Sequence, residues 1–155
     1  MLDTTLCYIV REGKFLMLHR IKKAVDVNKD KWVGIGGKFL PGETPEECAR
    51  REITEETGLS VGPMDYRGTV DFRCPGWPEE RMHLFWIEEF SGSLKDCDEG
   101  VLEWIDQDQM DALPQWEGDR IFFRLLMEKA PFFHLALDYE GDTLVSAVLN
   151  GTKIK

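Results

Sequence analysis

The sequence predicts an α+β fold, an α/β/α sandwich in which helices flank a mixed β-sheet. Three observations carry this. Runs rich in β-branched and aromatic residues, separated by turn signals, recur along the whole chain. A strongly capped helix stands at residues 45–57, early in that series. One further amphipathic helix, at residues 119–129, comes late in it. Many strands with two helices far apart suit a sheet sandwiched between them.

Taken in order, residues 4–10 (TTLCYIV) and 14–19 (KFLMLH) are strands split by Arg11-Glu12-Gly13, a hairpin signal. The second run is apolar, as for a strand covered on both faces. Residues 20–31 form a polar connection, long and charged enough to be a mobile rim over a site. Arg20, at the strand exit, is placed to meet a phosphate; Lys22 and Lys23 belong to the solvated face. Residues 32–35 form a short strand leading to a loop in which Gly34, Gly36 and Gly37 let backbone approach a ligand or metal.

Past the first helix, residues 65–74 alternate as a strand with Gly68 as a bulge. Pro75-Gly76-Trp77-Pro78 turns it into a strand at 81–90, completing a hairpin. A loop at 91–99 precedes a short strand at 102–105 and a small helix at 107–113 that Pro114 stops. In the helix at 119–129, Ile121, Phe122, Leu125 and Leu126 make the apolar stripe, and Asp119 is a candidate N-cap. Strands at 132–139 and 143–149 around Glu140-Gly141-Asp142 end the chain as a hairpin.

At 155 residues the chain is one domain, 1–155, with enough length for a core. Its 43% hydrophobic and 31% charged residues are those of a globular protein. A net charge of −10 argues against nucleic-acid polymers as partners but not against a small polyphosphate screened by cations. No targeting, lipidation or membrane-spanning signal appears, so a cytoplasmic location without membrane partners is expected. Cys7, Cys48, Cys74 and Cys97 lack metal or redox spacing and are expected as free, buried thiols. His19, His83 and His134 are scattered, and are expected to be structural or surface residues.

The stretch Gly37–Leu59 concentrates the chemistry. Thr44 is the N-cap of its helix, Pro45 sits at the first helical position, and Glu47 completes a capping box. Gly58 is a left-handed stop, after which Leu59 can fold back on Ile53. Glu52, Glu55 and Glu56 share one face in the last two turns, where the helix dipole is negative and like charges repel. Arg51, four residues before Glu55, offsets one charge and leaves two. A solvated acidic face is one explanation. The other is a divalent cation, which prefers hard oxygen ligands and would reverse the sign of the arrangement. The glycine loop, and Glu43 at its junction with the helix, favour the cation.

This stretch resembles the Nudix box, GX5EX7REUXEEXGU, with U a bulky aliphatic. Gly37, Glu43, Arg51, Glu52, Ile53, Glu55, Glu56, Gly58 and Leu59 match every fixed position. The resemblance implies a Nudix fold and a hydrolase that splits nucleoside diphosphates linked to another moiety, using Mg²⁺ or Mn²⁺. It implies metal ligands in Glu52, Glu55, Glu56 and the Gly37 carbonyl, with Arg51 orienting the carboxylates and one glutamate as the base. Nudix members of the MutT and oxidised-purine type place a further glutamate ligand shortly before a tryptophan-containing strand; Glu99, ahead of Trp104, matches.

The likeness to oxidised-purine triphosphatases extends to Trp32, Gly68, Phe72, the segment Trp116–Asp119 and the last hairpin. It implies a pocket where Phe72 and Trp116 meet the base, Asp119 reads its edge, and Arg20 and Lys38 face phosphates. Trp116 packing onto the following helix, with Asp119 as its cap, is the structural alternative. Three departures stand out. The relatives' base-reading asparagine is Val33 here, one of their paired aspartates is Gly118, and the loop before Trp32 is longer. The expected reaction is metal-dependent hydrolysis of a nucleoside triphosphate to monophosphate and pyrophosphate, with an oxidised purine such as 8-oxo-dGTP as first choice. Ordinary nucleotides, ADP-ribose (to which Pro75 points weakly) and a non-catalytic nucleotide-binding module are the alternatives, and the chain is expected to be a monomer or homodimer.

Overall fold

A single mixed sheet organises the chain, seen here in a computed structural model that describes residues 1–155. Its strands are β1 Leu2–Arg11, β2 Lys14–His19, β3 Trp32–Val33, β5 Asp65–Arg73, β6 Glu80–Ile87, β8 Val101–Asp106, β9 Phe133–Glu140, β10 Thr143–Leu149 and β11 Thr152–Lys153. They run in the order β11-β10-β9-β5-β6-β1-β2-β3, with β8 also paired to β2. β1 lies parallel to β6 and β5 parallel to β9, and the remaining pairs are antiparallel. Two further short strands, β4 Ser60–Val61 and β7 Phe90–Ser91, form a separate ladder.

Strand alternation explains the apolar middle of β2. Phe15 and Met17 join one core cluster and Leu16 and Leu18 the other. On the first face the cluster is closed by Phe122, Phe123 and Leu126 of helix α2, Glu117–Met127. On the second it is closed by Ala49 and Ile53 of helix α1, Pro45–Thr57, and Leu59 lies in the same cluster. The sandwich expected from the sequence is therefore present, with each fully buried Leu or Phe contributing about 1.5–3 kcal/mol. All four cysteines are free and buried.

Several boundaries differ from the sequence expectation. The strand expected at 81–90 ends at Ile87, and Phe90–Ser91 turns away to pair with β4. The segment after β8 is a 3₁₀ helix, Gln107–Ala112, rather than an α-helix. Two-residue ladders such as β4–β7 and the edge strand β11 have no periodicity to detect. Helix α2 begins two residues earlier than expected, and Asp119 is not its cap. Trp116 holds the N-cap position without a side-chain bond, and the Gly118 N–H donates instead to the Tyr139 hydroxyl at 2.8 Å. A Cβ at Gly118 would lie 2.6 Å from that oxygen, so glycine lets the first turn sit down on β9.

The loop after β3 runs back along β1. Ile35 exchanges backbone bonds with Cys7, and the Gly37 carbonyl accepts from the Thr5 N–H at 2.9 Å. A Cβ at Gly36 would overlap the Thr5 carbonyl. Gly36 is thus required by the approach of two protein backbones, not of a ligand. Helix α1 then starts with the expected capping box: Glu47 N–H to Thr44 Oγ1 at 3.1 Å, Thr44 N–H to Glu47 Oε1 at 2.9 Å. Thr44→Ala should lower the free energy of urea unfolding by about 1 kcal/mol; an unchanged midpoint would show that the cap is not formed.

Candidate functional site

Helix α1 presents Glu52 and Glu56 to a cleft of about 570 Å³. Gly37 faces Glu52 so closely that a Cβ on it would stand 2.5 Å from the carboxyl carbon. Glu56 is 8% exposed and accepts the Gly36 N–H at 3.2 Å. Glu55 turns away: its side chain is 60% exposed and does not line the cleft. Two of the three carboxylates expected on one face thus line the cleft, while Glu55 stands at its exposed margin, joined to Glu52 through the Arg51 Nη1.

Arg51 does more than the sequence spacing suggested. Its guanidinium grips Glu43 with two bonds of 2.7 and 2.9 Å, reaches Glu52 at 2.8 Å and Glu55 at 3.1 Å, and donates to the Lys38 carbonyl at 3.0 Å. This planar fork joins the loop to the helix, which a lysine's point charge cannot do. Its hydrogen bonds hold the Glu43 carboxyl down at about 2. Burial pushes Glu52 up against the pull of Arg51. Glu56 is raised further, first by burial and then by Glu99 beside it.

Glu99 arrives from the loop before β8 and lines the same end of the cleft. Against its burial, hydrogen bonds from Glu56 and Lys23 and the Arg20 charge keep its carboxyl below the usual range. Arg20 donates to Glu99 at 2.9 Å and to Asp26 at 2.8 Å, and Lys23 donates to Glu99 at 2.9 Å. Arg20 therefore faces carboxylates as well as the cleft. Lys22 and Lys23 are exposed, as expected, yet both also make contacts at the site: Lys22 donates to the Cys97 carbonyl at 2.6 Å, and Lys23 lines the cleft. The connection 20–31 is folded onto the site by these contacts. Lys38 lines the cleft with no carboxylate partner of its own.

At the other end stand Phe72, Trp116 and Asp119. Trp116 is 4% exposed, meets Phe72 edge-on at 4.9 Å and Tyr139 at 4.8 Å, and carries the Lys31 ammonium 4.3 Å over its ring. Most of the Trp116 surface is thus packed, but against the strand residues Phe72 and Tyr139 and under Lys31 rather than on the following helix; Lys31 is not among the cleft residues. Asp119 is 5% exposed, has no side-chain hydrogen-bond partner, and is pushed up to about 8, chiefly by burial and then by Glu80. A shift in this direction favours the neutral acid, which donates as well as accepts. Val33 lines the cleft without a polar group. Asn28 and Glu80 carry no local signal for this place, because what brings them here is a long loop and a strand start remote from the box.

A family model described as the NUDIX domain matches residues 2–126, most of the chain. The chain belongs to the Nudix family. It is accordingly a Nudix hydrolase, and members of that family generally use divalent metal ions. The oxidized purine nucleoside triphosphate hydrolase of Danio rerio is 34% identical over 129 residues, covering 83% of this chain and 81% of that protein. The Mus musculus protein of the same name is 34% identical over 117 residues, covering 75% of each. Among solved structures, the mutator MutT protein of Bacillus halodurans superposes with a TM-score of 0.85 at 28% identity, covering 97% of this chain and 98% of that one. No helix of the chain is long and apolar enough to cross a membrane.

The Nudix residues suit a hard cation in type: Glu52, Glu56 and Glu99 carboxylates border the cleft with Gly37 and Lys38. A side chain at position 37 would fill the space before Glu52. Yet no three of these acids stand close enough to share one ion as placed. Arg51 holds Glu52 while Arg20 and Lys23 hold Glu99, so binding must exchange ion pairs for ligation. The Gly37 carbonyl likewise already accepts from the Thr5 N–H and, at 3.6 Å, from the Cys48 thiol.

Two outcomes follow from this geometry. In Gly37→Ala the clashing atoms are the far end of a flexible glutamate, so the unfolding free energy should change by less than about 1 kcal/mol. Displacing Glu52 should nonetheless lower nucleotide hydrolysis on the order of 10- to 100-fold; an unaffected rate removes Glu52 from the reaction. Asp119 sets a pH dependence in metal-free protein. Between the ordinary aspartate value of 3.8 and about 8 the unfolded chain has lost a proton that the native state keeps. Stability therefore falls as pH rises through that window, by up to about 1.4 kcal/mol per pH unit for this group. Asp119→Asn should flatten urea-derived stability between pH 5 and 8, with Glu56 leaving a residual slope of the same sign; an unaltered slope means Asp119 is ionised there.

Proposed function

We propose that this Nudix hydrolase cleaves a nucleoside triphosphate to the monophosphate and pyrophosphate, with an oxidised purine such as 8-oxo-dGTP as preferred base. The observation that carries the proposal is one continuous cleft with two chemically distinct ends. Glu52, Glu56, Glu99, Arg20, Lys23 and Lys38 line one; Phe72, Trp116 and Asp119 line the other. The likeness to vertebrate proteins named oxidized purine nucleoside triphosphate hydrolases supports the same assignment.

Mg²⁺ or Mn²⁺ held by Glu52, Glu56 and Glu99, with Glu55 and the Gly37 carbonyl as further candidates, would offset phosphate charge and lower the pKa of a bound water. Arg51 keeps the box carboxylates in place through its fork to Glu43 and Glu52. A carboxylate of the inward pair Glu52 and Glu56 takes the proton of the attacking water. Lys38, and Arg20 once Glu99 is otherwise engaged, supply positive charge to the phosphates and to the departing pyrophosphate. At the base end Phe72 and the cleft edge of Trp116 bound a flat ring, and protonated Asp119 hydrogen-bonds to it.

The test is a substrate panel of 8-oxo-dGTP, dGTP, dATP and ADP-ribose with Mg²⁺ and with Mn²⁺, scored for pyrophosphate and monophosphate release. The expected order puts 8-oxo-dGTP first in kcat/KM, and Glu56→Gln should cut its turnover on the order of 10²–10⁴-fold in a folded protein. Preference for ADP-ribose, or wild-type turnover in that variant, would overturn the substrate or the site respectively.

A further inference from the structure

The connection 20–31 brings to the base end a group that the proposed reaction leaves unused. Asn28 lines the cleft together with Trp116 and Asp119. Its side-chain oxygen accepts the Trp116 indole N–H at 2.8 Å. An indole N–H can only donate, so it must meet the oxygen of the amide and not the nitrogen. The two amide N–H donors are thereby turned away from Trp116. They meet no protein acceptor and are not buried without one.

The amide is also held in place. The Asn28 backbone N–H donates to Asp26 Oδ1 at 3.0 Å, and its carbonyl accepts from the Lys31 N–H at 2.9 Å. Asp26 is in turn gripped by Arg20, whose other arm reaches Glu99. One guanidinium thus ties the acidic end of the cleft to the loop that positions Asn28. A donor fixed in this way loses little freedom on binding.

The other polar groups at this end are carboxyls. Glu80 lines the cleft, and the Thr4 hydroxyl donates to one of its oxygens at 2.7 Å, leaving the other open. Asp119, 5% exposed, feels the charges of Glu80, Arg120 and Lys31 but makes no side-chain hydrogen bond. Leu6, Val33, Phe72 and Met82 supply apolar walls. A flat ring seated between them is matched best if it offers an acceptor towards Asn28 and N–H donors towards the two carboxyls.

We propose that Asn28 is a specificity-determining residue, donating from its amide to an exocyclic oxygen of the base while Glu80 and Asp119 take ring and amino N–H groups. The cleft then favours a purine with an oxo group on its pairing edge over one with an amino group there. This rests on the nucleoside triphosphate assignment above. An amino-bearing base sets donor against donor at Asn28, and a polar group left unpaired on binding discriminates strongly.

The experiment compares kcat/KM for 8-oxo-dGTP and 8-oxo-dATP with Mg²⁺ in wild type, Asn28→Asp and Asn28→Leu. Sugar, triphosphate and the 8-oxo group are common to both substrates, so general damage cancels in their ratio. Asn28→Asp keeps an oxygen for Trp116 and replaces the donor with an acceptor. It should lower the 8-oxo-dGTP to 8-oxo-dATP ratio by about tenfold or more, and Asn28→Leu by less, because it removes the donor without adding repulsion. Intrinsic Trp fluorescence and Tm check that the loop stays folded. If wild type hydrolyses 8-oxo-dGTP and the ratio is the same in all three proteins, the inference falls and the assigned reaction stands. If wild type hydrolyses neither triphosphate, both fall together.

Discussion

The contact between the glycine loop and β1 fixes everything around it. Residues 35–39 lie against β1 as an added antiparallel segment, backbone on backbone, and Gly36 admits no side chain because the Thr5 carbonyl occupies the space. The same segment supplies the N–H that Glu56 accepts and the bare Cα that faces Glu52. Helix α1 packs through Ala49 and Ile53 onto the face of β1 that carries Cys7 and Ile9. Loop, strand and helix therefore have one relative position, and the two inward carboxylates inherit it.

Electrostatics gives that position its meaning. A chain of net charge −10 nevertheless concentrates Arg20, Lys23 and Lys38 beside Glu52, Glu56 and Glu99 in this cleft. Glu56 and Glu99 lie together: burial and then Glu99 raise the first, while, against its burial, the hydrogen bond from Glu56, followed by Lys23 and Arg20, lowers the second. Arg51 balances Glu52, and Arg20 with Lys23 balances Glu99, whereas Glu56 has only the Gly36 N–H and the Glu99 carboxyl beside it. These ion pairs leave no bare cluster of like charges at the cleft.

Much of the fold was legible because it rests on local chemistry. The capping box of α1, its Gly58 stop, the apolar alternation in β2 and the Pro75–Pro78 turn each depend on neighbours in sequence. The box residues were legible for the same reason, being carried by one loop and one helix. What escaped notice depends on distant partners. Tyr139, not Asp119, satisfies the first turn of α2, and once relieved of capping Asp119 becomes a buried acid facing the cleft. Arg51 has an obvious partner at Glu55, but its stronger grip on Glu43 requires the loop to fold back over the helix.

The sequence by itself determined the class of fold, the family's box and the acidic character of α1, because spacing, capping and charge along a helix are properties of adjacent residues. Only the tertiary structure decided which glutamates face inward, that Arg20 and Lys23 close on Glu99, and that Asn28 stands beside Trp116. Those residues are 76 to 88 positions apart. No local propensity brings them together, since their meeting depends on how far the chain turns at each loop and on which face of the sheet each element packs.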